Sequence, residues 1–119
     1  NGIKFSLSTK RLTVRAKRSA LFSVLFNLVF NAIEHAECTE ISVRAEKSGE
    51  RVFLKVTDNG KGLSDNARIF EPYFTGNESD DNSGLGLFIV KSETEAMGGT
   101  IAYSGKNGST FTLSLLSEF

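Results

Sequence analysis

The sequence predicts an α+β domain, and three observations support this prediction. The chain has 119 residues, a length that fits one domain, since most domains contain about 100–150 residues. Hydrophobic residues make up 39% of it and include ten phenylalanines, which is enough apolar material for a core. Helix-like stretches are interspersed with short segments in which apolar and polar residues alternate, as they do in half-buried strands. We therefore expect one domain, residues 1–119, that combines helices with a sheet.

The first half of the chain is predicted to contain four strands and one helix. Apolar and polar residues alternate over Ile3–Leu7 and Leu12–Arg15, which predicts two short strands. The helix is expected over Ala16–Ala36, which contains neither glycine nor proline. Glu40–Lys47 and Arg51–Thr57 alternate again, and the short glycine-containing turn between them predicts a hairpin.

The second half is rich in glycine, since nine of the eleven glycines lie between Gly60 and Gly108, and it is predicted to hold a helix and a hairpin. Its expected elements in order are a glycine turn at Asp58–Gly62, a helical turn at Leu63–Arg68, a segment at Ile69–Thr75 that contains the only proline, a polar loop at Thr75–Ser83, a helix at Gly84–Met97 that ends at Gly98-Gly99, and strands at Thr100–Ser104 and Thr110–Leu116.

Composition excludes several classes of protein. The 14 basic and 14 acidic side chains cancel, which argues against the broad basic surface of a nucleic-acid binder. No run approaches the roughly 18 apolar residues that a membrane span needs, so no membrane contact is expected of this domain. The first ten residues lack the apolar core of a signal peptide, and the strand-like start suggests a piece of a longer chain. A single cysteine, Cys38, excludes an internal disulfide, suggests a reducing compartment and argues against a structural zinc site.

The first predicted helix is apolar nearly all round, which predicts that it is buried. It nevertheless carries a polar stripe of Ser23, Asn27 and Asn31, continued by Glu34 or His35, because residues four apart share a helix face. Buried asparagines need hydrogen-bond partners. The stripe is either a polar seam satisfied by the sheet or by water, or one wall of a ligand site in which an amide oxygen meets a hard cation such as Mg²⁺.

Two glycine-rich turns are candidate ligand contacts. Asp58 follows a strand directly, and an aspartate there can accept a hydrogen bond from an amino group such as that of adenine; an ordinary Asp-Asn-Gly turn is the alternative. Gly84 and Gly86 open the second predicted helix, where exposed N–H groups and the helix dipole suit phosphate. Neither the Walker A motif nor the Rossmann glycine pattern is present.

Together these segments resemble the catalytic, ATP-binding domain of sensor histidine kinases, within the wider group that includes gyrase, MutL and an ATP-driven heat-shock chaperone. The resemblance covers essentially the whole chain. The matching segments are Asn27-Leu28-Val29-Phe30-Asn31-Ala32-Ile33 for the N box, Asp58-Asn59-Gly60-Lys61-Gly62-Leu63 for the G1 box, Ile69-Phe70-Glu71-Pro72-Tyr73-Phe74-Thr75 for the F box and Gly84-Leu85-Gly86-Leu87-Phe88-Ile89-Val90 for the G2 box.

The resemblance implies the Bergerat fold, a two-layer α/β sandwich whose mixed, mostly antiparallel sheet carries helices on one face. It implies ATP and Mg²⁺ as ligands and transfer of the γ-phosphoryl group to a histidine on a separate dimerisation domain, with a response regulator as indirect partner. Asn31 would coordinate Mg²⁺, Asn27 would lie near the metal and the phosphates, and Asp58 would bind the adenine amino group. The other residues that it implies in the site are Glu34, His35, Gly60, Gly62, Leu63, Phe74, Gly84, Leu85, Gly86, Leu87 and Thr110.

Asn27 distinguishes branches of the group, because the ATP-hydrolysing relatives and the anti-sigma serine kinases resemble this motif with Glu at that place. An amide cannot act as a general base, so Asn27 fits transfer to a histidine better than activation of water. Two alternatives stay open. One is a nucleotide-binding or docking module without phosphotransfer, and the other is a serine kinase of the anti-sigma type.

The sequence departs from the family pattern in its charges. Glu34 stands where the family carries Lys or Arg, and Asn82 where it carries the first glycine of the G2 box. The predicted loop Thr75–Ser83 carries only acidic charge, from Glu78, Asp80 and Asp81, so positive charge toward a triphosphate would come from Mg²⁺, from a partner, or from Lys61, Arg68 or Lys91. His35 is expected to contact nucleotide or simply to end the helix, since the family's phosphoacceptor lies on another domain. The resemblance and the single cysteine imply a cytoplasmic domain.

Overall fold

The computed structural model of the chain describes residues 2–8, 12–35, 37–62, 68–71, 86–105 and 108–117. Within them it forms five strands and two helices. In chain order these are β1 (Lys4–Ser8), α1 (Arg18–His35), β2 (Glu40–Ser48), β3 (Arg51–Asp58), α2 (Gly86–Ala96), β4 (Thr100–Ser104) and β5 (Ser109–Leu116).

The five strands form one sheet in the order β1-β2-β3-β5-β4. Strand β1 runs parallel to β2, and every other pairing is antiparallel, as expected of a mixed, mostly antiparallel sheet. In this register Asp58, the last residue of the central strand β3, pairs with Ile41 on one side and with Ser109 on the other. The sheet therefore places Asp58 between β2, the hairpin partner of its own strand, and β5, which lies far from it in sequence.

The core lies between the sheet and the two helices. Alternate residues of β5, among them Phe111 and Leu113, point toward the helices and are at most 2% exposed. Helix α1 contributes Val24 and Leu28 to this core, and α2 contributes Val90. The intervening residues of the same strands are mostly polar, so only one face of the sheet is apolar enough to be covered. This arrangement confirms the two-layer α/β sandwich.

The prediction of a strand at Leu12–Arg15 was wrong. Only Val14 makes a bridge, to Ser117, and the Arg15 N–H donates to the carbonyl oxygen of Leu116 at 2.9 Å. Strand β5 is flanked by β3 and, as far as Ser114, by β4. On β5, therefore, only the residues beyond Ser114 are left to pair with this segment. That stretch is too short to support another strand.

Helix α1 is not buried all round, contrary to the prediction. Val24, Leu28 and Ala32 are buried, but Phe22 is 69% and Phe26 54% exposed. With Phe30, which is 43% exposed, these two residues form a line on the outer surface that we call the phenylalanine row (Phe22, Phe26, Phe30). The reason is architectural: in a two-layer fold the sheet and α2 cover one side of α1, and within the described residues nothing covers the other.

The ends of the helices follow local chemistry. Helix α2 ends as predicted, because Gly98 adopts a φ of +79° and the Gly99 N–H donates to the carbonyl oxygen of Thr94 at 3.0 Å. Helix α1 begins at Arg18, two residues later than predicted, and Glu37 adopts a positive φ of 55° just beyond its end. The predicted loop Thr75–Ser83, and the helical turn Leu63–Arg68 apart from its last residue, lie outside the described residues.

Candidate functional site

The carboxylate of Asp58 is the one buried acidic side chain within the described residues, at 4% exposure. Its Oδ1 atom accepts a hydrogen bond of 2.8 Å from the Gly60 N–H, and the Ser109 N–H also donates to the carboxylate. Burial raises the pKa of the Asp58 carboxyl above its usual 3.8, and the two N–H donors offset part of that increase. Asp58 is therefore a buried acceptor that backbone donors hold in place.

Asn59 fixes the turn that follows Asp58. Its Oδ1 atom accepts hydrogen bonds from the N–H groups of Thr39 at 2.9 Å and Glu40 at 3.0 Å. Its Nδ2 atom donates to the Thr39 hydroxyl at 2.9 Å. The turn is thus attached to the start of β2, and Asn59 has a positioning role that the sequence reasoning did not assign to it.

The glycine turn packs against the β4–β5 turn. Gly62 adopts a φ of +74°, which glycine readily allows, whereas Gly60 does not have a positive φ. A Cβ at Gly62 would lie 3.2 Å from the carbonyl oxygen of Gly108 and 3.5 Å from the hydroxyl of Tyr103. That hydroxyl is 3.1 Å from the Ser109 Oγ atom. A side chain at Gly62 would therefore push the two turns apart.

Asn27 lies where α1 meets the start of α2. Its Nδ2 atom donates to the carbonyl oxygen of Ser23 at 2.8 Å, which fixes the orientation of the amide. Its Oδ1 atom faces Gly86 and is 3.5 Å from the position that a Cβ of Gly86 would take. The amide oxygen of Asn27 is thus presented at the N-terminal end of α2, where Leu87 packs against the core.

The remaining residues of the predicted stripe continue along α1. Asn31, one turn beyond Asn27, is half-buried, and Glu34 is exposed. The amide oxygens of Asn27 and Asn31 fit Mg²⁺ by donor type, because this cation prefers oxygen ligands and keeps several waters. Of the other predicted site residues, Leu63, Phe74, Gly84, Leu85 and the side chain of His35 lie outside the described residues.

Thr110 and Asp58 lie on neighbouring strands but on opposite faces of the sheet. Thr110 pairs with Thr57, and their hydroxyl oxygens are 3.3 Å apart. Ser109, which pairs with Asp58, is the residue on the Asp58 face, and the sequence reasoning did not select it. The sequence did carry a signal for Ser109, because this residue directly follows Gly108, the glycine of the β4–β5 turn. A nucleotide contact of Thr110 stays a prediction.

The three cations considered for the phosphates all lie beside acidic groups. Lys61 Nζ is 3.3 Å from a carboxylate oxygen of Glu37, and Arg68 Nε is 3.3 Å from one of Glu71. Lys91 Nζ lies 3.8 Å from Glu95 Oε2 and 5.8 Å from the centre of the Phe70 ring. These pairs are exposed, so each contributes roughly 0–1 kcal/mol to the stability of the folded protein. Such weak pairs can exchange partners.

Cys38 is a half-buried free thiol, close enough to Asp58 to feel the charge of its carboxylate. Its Sγ atom is 3.4 Å from the carbonyl oxygen of Ala32. Burial, together with the negative charge of Asp58, raises the pKa of the Cys38 thiol above its usual 9.0, with its own backbone N–H acting in the opposite direction. The thiol is therefore protonated at neutral pH.

The described residues contain no group of three or more His, Cys, Asp or Glu side chains that could hold a metal ion. Neither helix in the described part of the chain combines the length and apolarity of a membrane crossing.

Comparison with protein families identifies one whose profile matches residues 16–118, described as histidine kinase-, DNA gyrase B-, and HSP90-like ATPase. Among curated proteins the chain is similar to the sensor histidine kinase ZraS of Escherichia coli (strain K12). The two are 39% identical over an alignment of 116 positions that covers 93% of this chain and 24% of that protein. It is also similar to the C4-dicarboxylate transport sensor protein DctB of Rhizobium meliloti (strain 1021), with 37% identity over 97% of this chain and 19% of DctB. The chain spans about a quarter or less of these two relatives.

Solved structures agree with this comparison. The mycobacterial sensor histidine kinase MprB superimposes with a TM-score of 0.85 at 25% identity, over 97% of this chain and 82% of that one. The catalytic domain of histidine kinase ThkA superimposes with a TM-score of 0.83 at 32% identity, over 96% and 80% of the two chains.

Proposed function

Since the chain belongs to the family of histidine kinase-, DNA gyrase B- and HSP90-like ATPases, we propose that it is the ATP-binding catalytic domain of a two-component sensor histidine kinase. In this proposal it transfers the γ-phosphoryl group of ATP to a histidine on a separate dimerisation domain. The observation that carries the proposal is the placement of two polar groups on the helix side of the sheet: the buried carboxylate of Asp58 at the end of β3, and the Asn27 amide at the α1–α2 contact.

Asp58 would bind the adenine end of the nucleotide. Backbone N–H donors from Gly60 and Ser109 hold its carboxylate at the rim of the sheet. A buried carboxylate that is already oriented loses little side-chain entropy when it accepts a hydrogen bond from an exocyclic amino group. The close contact of Gly62 with the β4–β5 turn supports this assignment, because it holds the turn that follows Asp58 against the strand end that carries Ser109.

Asn27 and Asn31 would hold the phosphate end through Mg²⁺. Their spacing of four residues places both amides on one face of α1, and the Asn27 oxygen faces the N-terminal end of α2. That end presents backbone N–H groups and the positive pole of the helix dipole, both of which suit phosphate. When bound, Mg²⁺ would neutralise charge on the phosphate oxygens. Glu34 is exposed, and its negative charge would weaken phosphate binding if its side chain faced this end.

The proposed reaction is an in-line phosphoryl transfer. A neutral imidazole nitrogen of the acceptor histidine forms a bond to the γ-phosphorus. The bond between that phosphorus and the bridging oxygen breaks, and its electron pair leaves with ADP. Because the imidazole is itself the nucleophile, no residue of this chain has to remove a proton from water. Asn27, whose amide cannot serve as a base, fits this step better than hydrolysis.

Calorimetry with a non-hydrolysable ATP analogue tests the proposal. We expect the chain to bind the analogue in the presence of Mg²⁺ and Asn31→Ala to lose the Mg²⁺-dependent part of the binding. Loss of one coordinating oxygen predicts a fall in affinity of about 10–100-fold. Ser19→Ala, an exposed change on the same helix, is the matched control and should bind like the parent chain.

Absence of binding at millimolar analogue would overturn the proposal, and unchanged Mg²⁺ dependence in Asn31→Ala would refute the metal assignment.

Glu34→Lys in the same assay reports whether Glu34 faces the phosphates. Tighter binding is expected if it does, because a repulsive charge becomes an attractive one.

Binding of the analogue without phosphate transfer to a dimerisation domain would favour the docking module instead. A response regulator as the next acceptor and a cytoplasmic location are parts of the same proposal.

A further inference from the structure

The phenylalanine row is the middle of a longer line of side chains on α1. Arg18, Phe22, Phe26, Phe30 and Glu34 recur at intervals of four residues, and all five are exposed. Such a line is a surface ridge of the kind that packs into the grooves of another helix. The rings also stack on one another, with centroids 6.1 Å and 5.9 Å apart. The row is therefore an ordered apolar ridge rather than a set of isolated side chains.

The apolar area of this ridge is substantial for so small a domain. A phenylalanine side chain offers roughly 200 Å² when fully exposed, so the three rings together present on the order of 300 Å². The largest contiguous apolar patch on a typical monomeric protein covers about 300–600 Å² and is often functional, so the row has the size of such a patch. A stable interface buries about 800 Å² on each partner, so the row fits a weak and reversible contact.

The charges at the two ends of the ridge indicate which partner fits. Arg18 and Glu34 lie eight positions before and after Phe26, at opposite ends of the line. Within the part of the chain that the structure describes, neither side chain forms an ion pair. If a second, identical ridge lies antiparallel to the first across a two-fold axis at Phe26, each Arg18 meets the Glu34 of the other copy. The ridge is thus complementary to itself in both apolar character and charge.

We propose that two copies of this chain associate through α1, with the phenylalanine rows packed antiparallel and the Arg18 and Glu34 side chains paired at both ends. A two-fold contact of this kind uses the same surface on each copy. Asn27 and Asn31 lie about 100° round the helix from Phe26 and Phe30, on the side that faces α2, so the contact leaves them uncovered. The proposal therefore does not depend on whether the domain binds nucleotide.

Sedimentation velocity of the full 119-residue chain without nucleotide is the first test. Over about 10 µM to 1 mM we expect a reversible shift from monomer toward dimer, as suits a small interface. Phe26→Glu should weaken the association more than tenfold, because it buries two like charges at the two-fold axis. Phe5→Glu is the matched control, since Phe5 is 56% exposed, against 54% for Phe26, but lies on β1. It should associate like the parent chain.

Exchange of the end charges tests the antiparallel arrangement. Arg18→Glu alone and Glu34→Arg alone each place like charges at both ends and should weaken self-association severalfold at low ionic strength. A one-to-one mixture of the two variants should restore it, because a mixed dimer has an attractive pair at each end. Far-UV circular dichroism confirms that each variant is folded.

Three outcomes would overturn the proposal. The first is a chain that stays monomeric at millimolar concentration, which would leave the row to a partner of another kind. The second is equal weakening by Phe26→Glu and Phe5→Glu, which would indicate non-specific association. The third is a mixture of the charge variants that associates no better than either alone, which would exclude the antiparallel two-fold arrangement.

Discussion

The backbone carbonyl of Asp58 occupies the space in which a side chain at Gly108 would lie. A Cβ at Gly108 would overlap with that oxygen and come within 3.1 Å of the Asn59 Cα atom. Gly108 also adopts a φ of +104°, which side chains rarely allow. The candidate adenine contact at Asp58 therefore depends on a glycine that is fifty positions away in the sequence.

Gly108→Ala is predicted to destabilise the chain by at least about 3 kcal/mol, because both the backbone conformation and the contact with Asp58 resist a side chain. Gly49→Ala is the matched control. Gly49 also has a positive φ, of 62°, but no atom lies within 4 Å of its would-be Cβ, so its cost should be only about 1 kcal/mol. Urea unfolding measures both, and equal losses for the two variants would contradict the packing argument.

The pH dependence of stability is predicted from Asp58. Because burial raises the pKa of this carboxyl in the folded state, the folded protein favours the protonated form. The stabilising contribution of this group is complete below its unfolded-state pKa and is lost as the pH rises through the higher folded-state pKa. Each unit of increase in pKa corresponds to about 1.4 kcal/mol. Relative to Asp58→Asn, which cannot titrate, the parent chain should thus become less stable on going from acidic to neutral pH.

Urea unfolding of both proteins between about pH 3.5 and 7 gives this difference directly. The comparison with Asp58→Asn cancels the titration of the other carboxylates to first order. A difference in the free energy of unfolding that stayed constant, or that moved in favour of the parent chain at higher pH, would show that burial does not dominate at Asp58.

The buried hydroxyl of Thr94 supplies a further prediction. Thr94 in α2 is completely buried, and its Oγ1 atom has no hydrogen-bond partner within the described residues. Thr94→Val keeps the β-branched shape and removes the unsatisfied oxygen, so it should stabilise the chain by about 1 kcal/mol. Thr94→Ser keeps the hydroxyl and loses a buried methyl group, and should destabilise the chain by about 1 kcal/mol. Thermal unfolding distinguishes the two, and a less stable Thr94→Val would reveal a hydrogen bond to water.

The regular elements were predictable wherever a local period carried the information. Strands β2 and β3 and the end of α2 at Gly98 follow from alternation and from glycine chemistry, and each was found within one or two residues. The strand at Leu12–Arg15 was predicted from the same kind of pattern and does not form. Alternation identifies a segment that can pair, but pairing also depends on which strand edge the folded chain brings beside it, and here only Val14 meets β5, at Ser117.

The candidate site, too, could be predicted only in part from the sequence. Motif resemblance selected Asp58, Asn27 and the glycine turns, and the structure brings Asp58 together with Gly60 and places Asn27 beside Gly86. Motif resemblance did not select Ser109 or Asn59. Their roles come from strand register and from hydrogen bonds to Thr39 and Glu40, which link segments that are far apart in the chain.

By itself, the sequence determined the fold class and the family resemblance and predicted the residues of the candidate nucleotide site, because these depend on local periodicity and on short motifs. Only the tertiary structure decided which apolar side chains of α1 are buried. Val24 and Phe26 are both apolar, yet one is fully buried and the other is 54% exposed. The physical reason is that burial depends on which side of the helix the sheet and α2 cover, and a helix that is apolar nearly all round does not encode that choice.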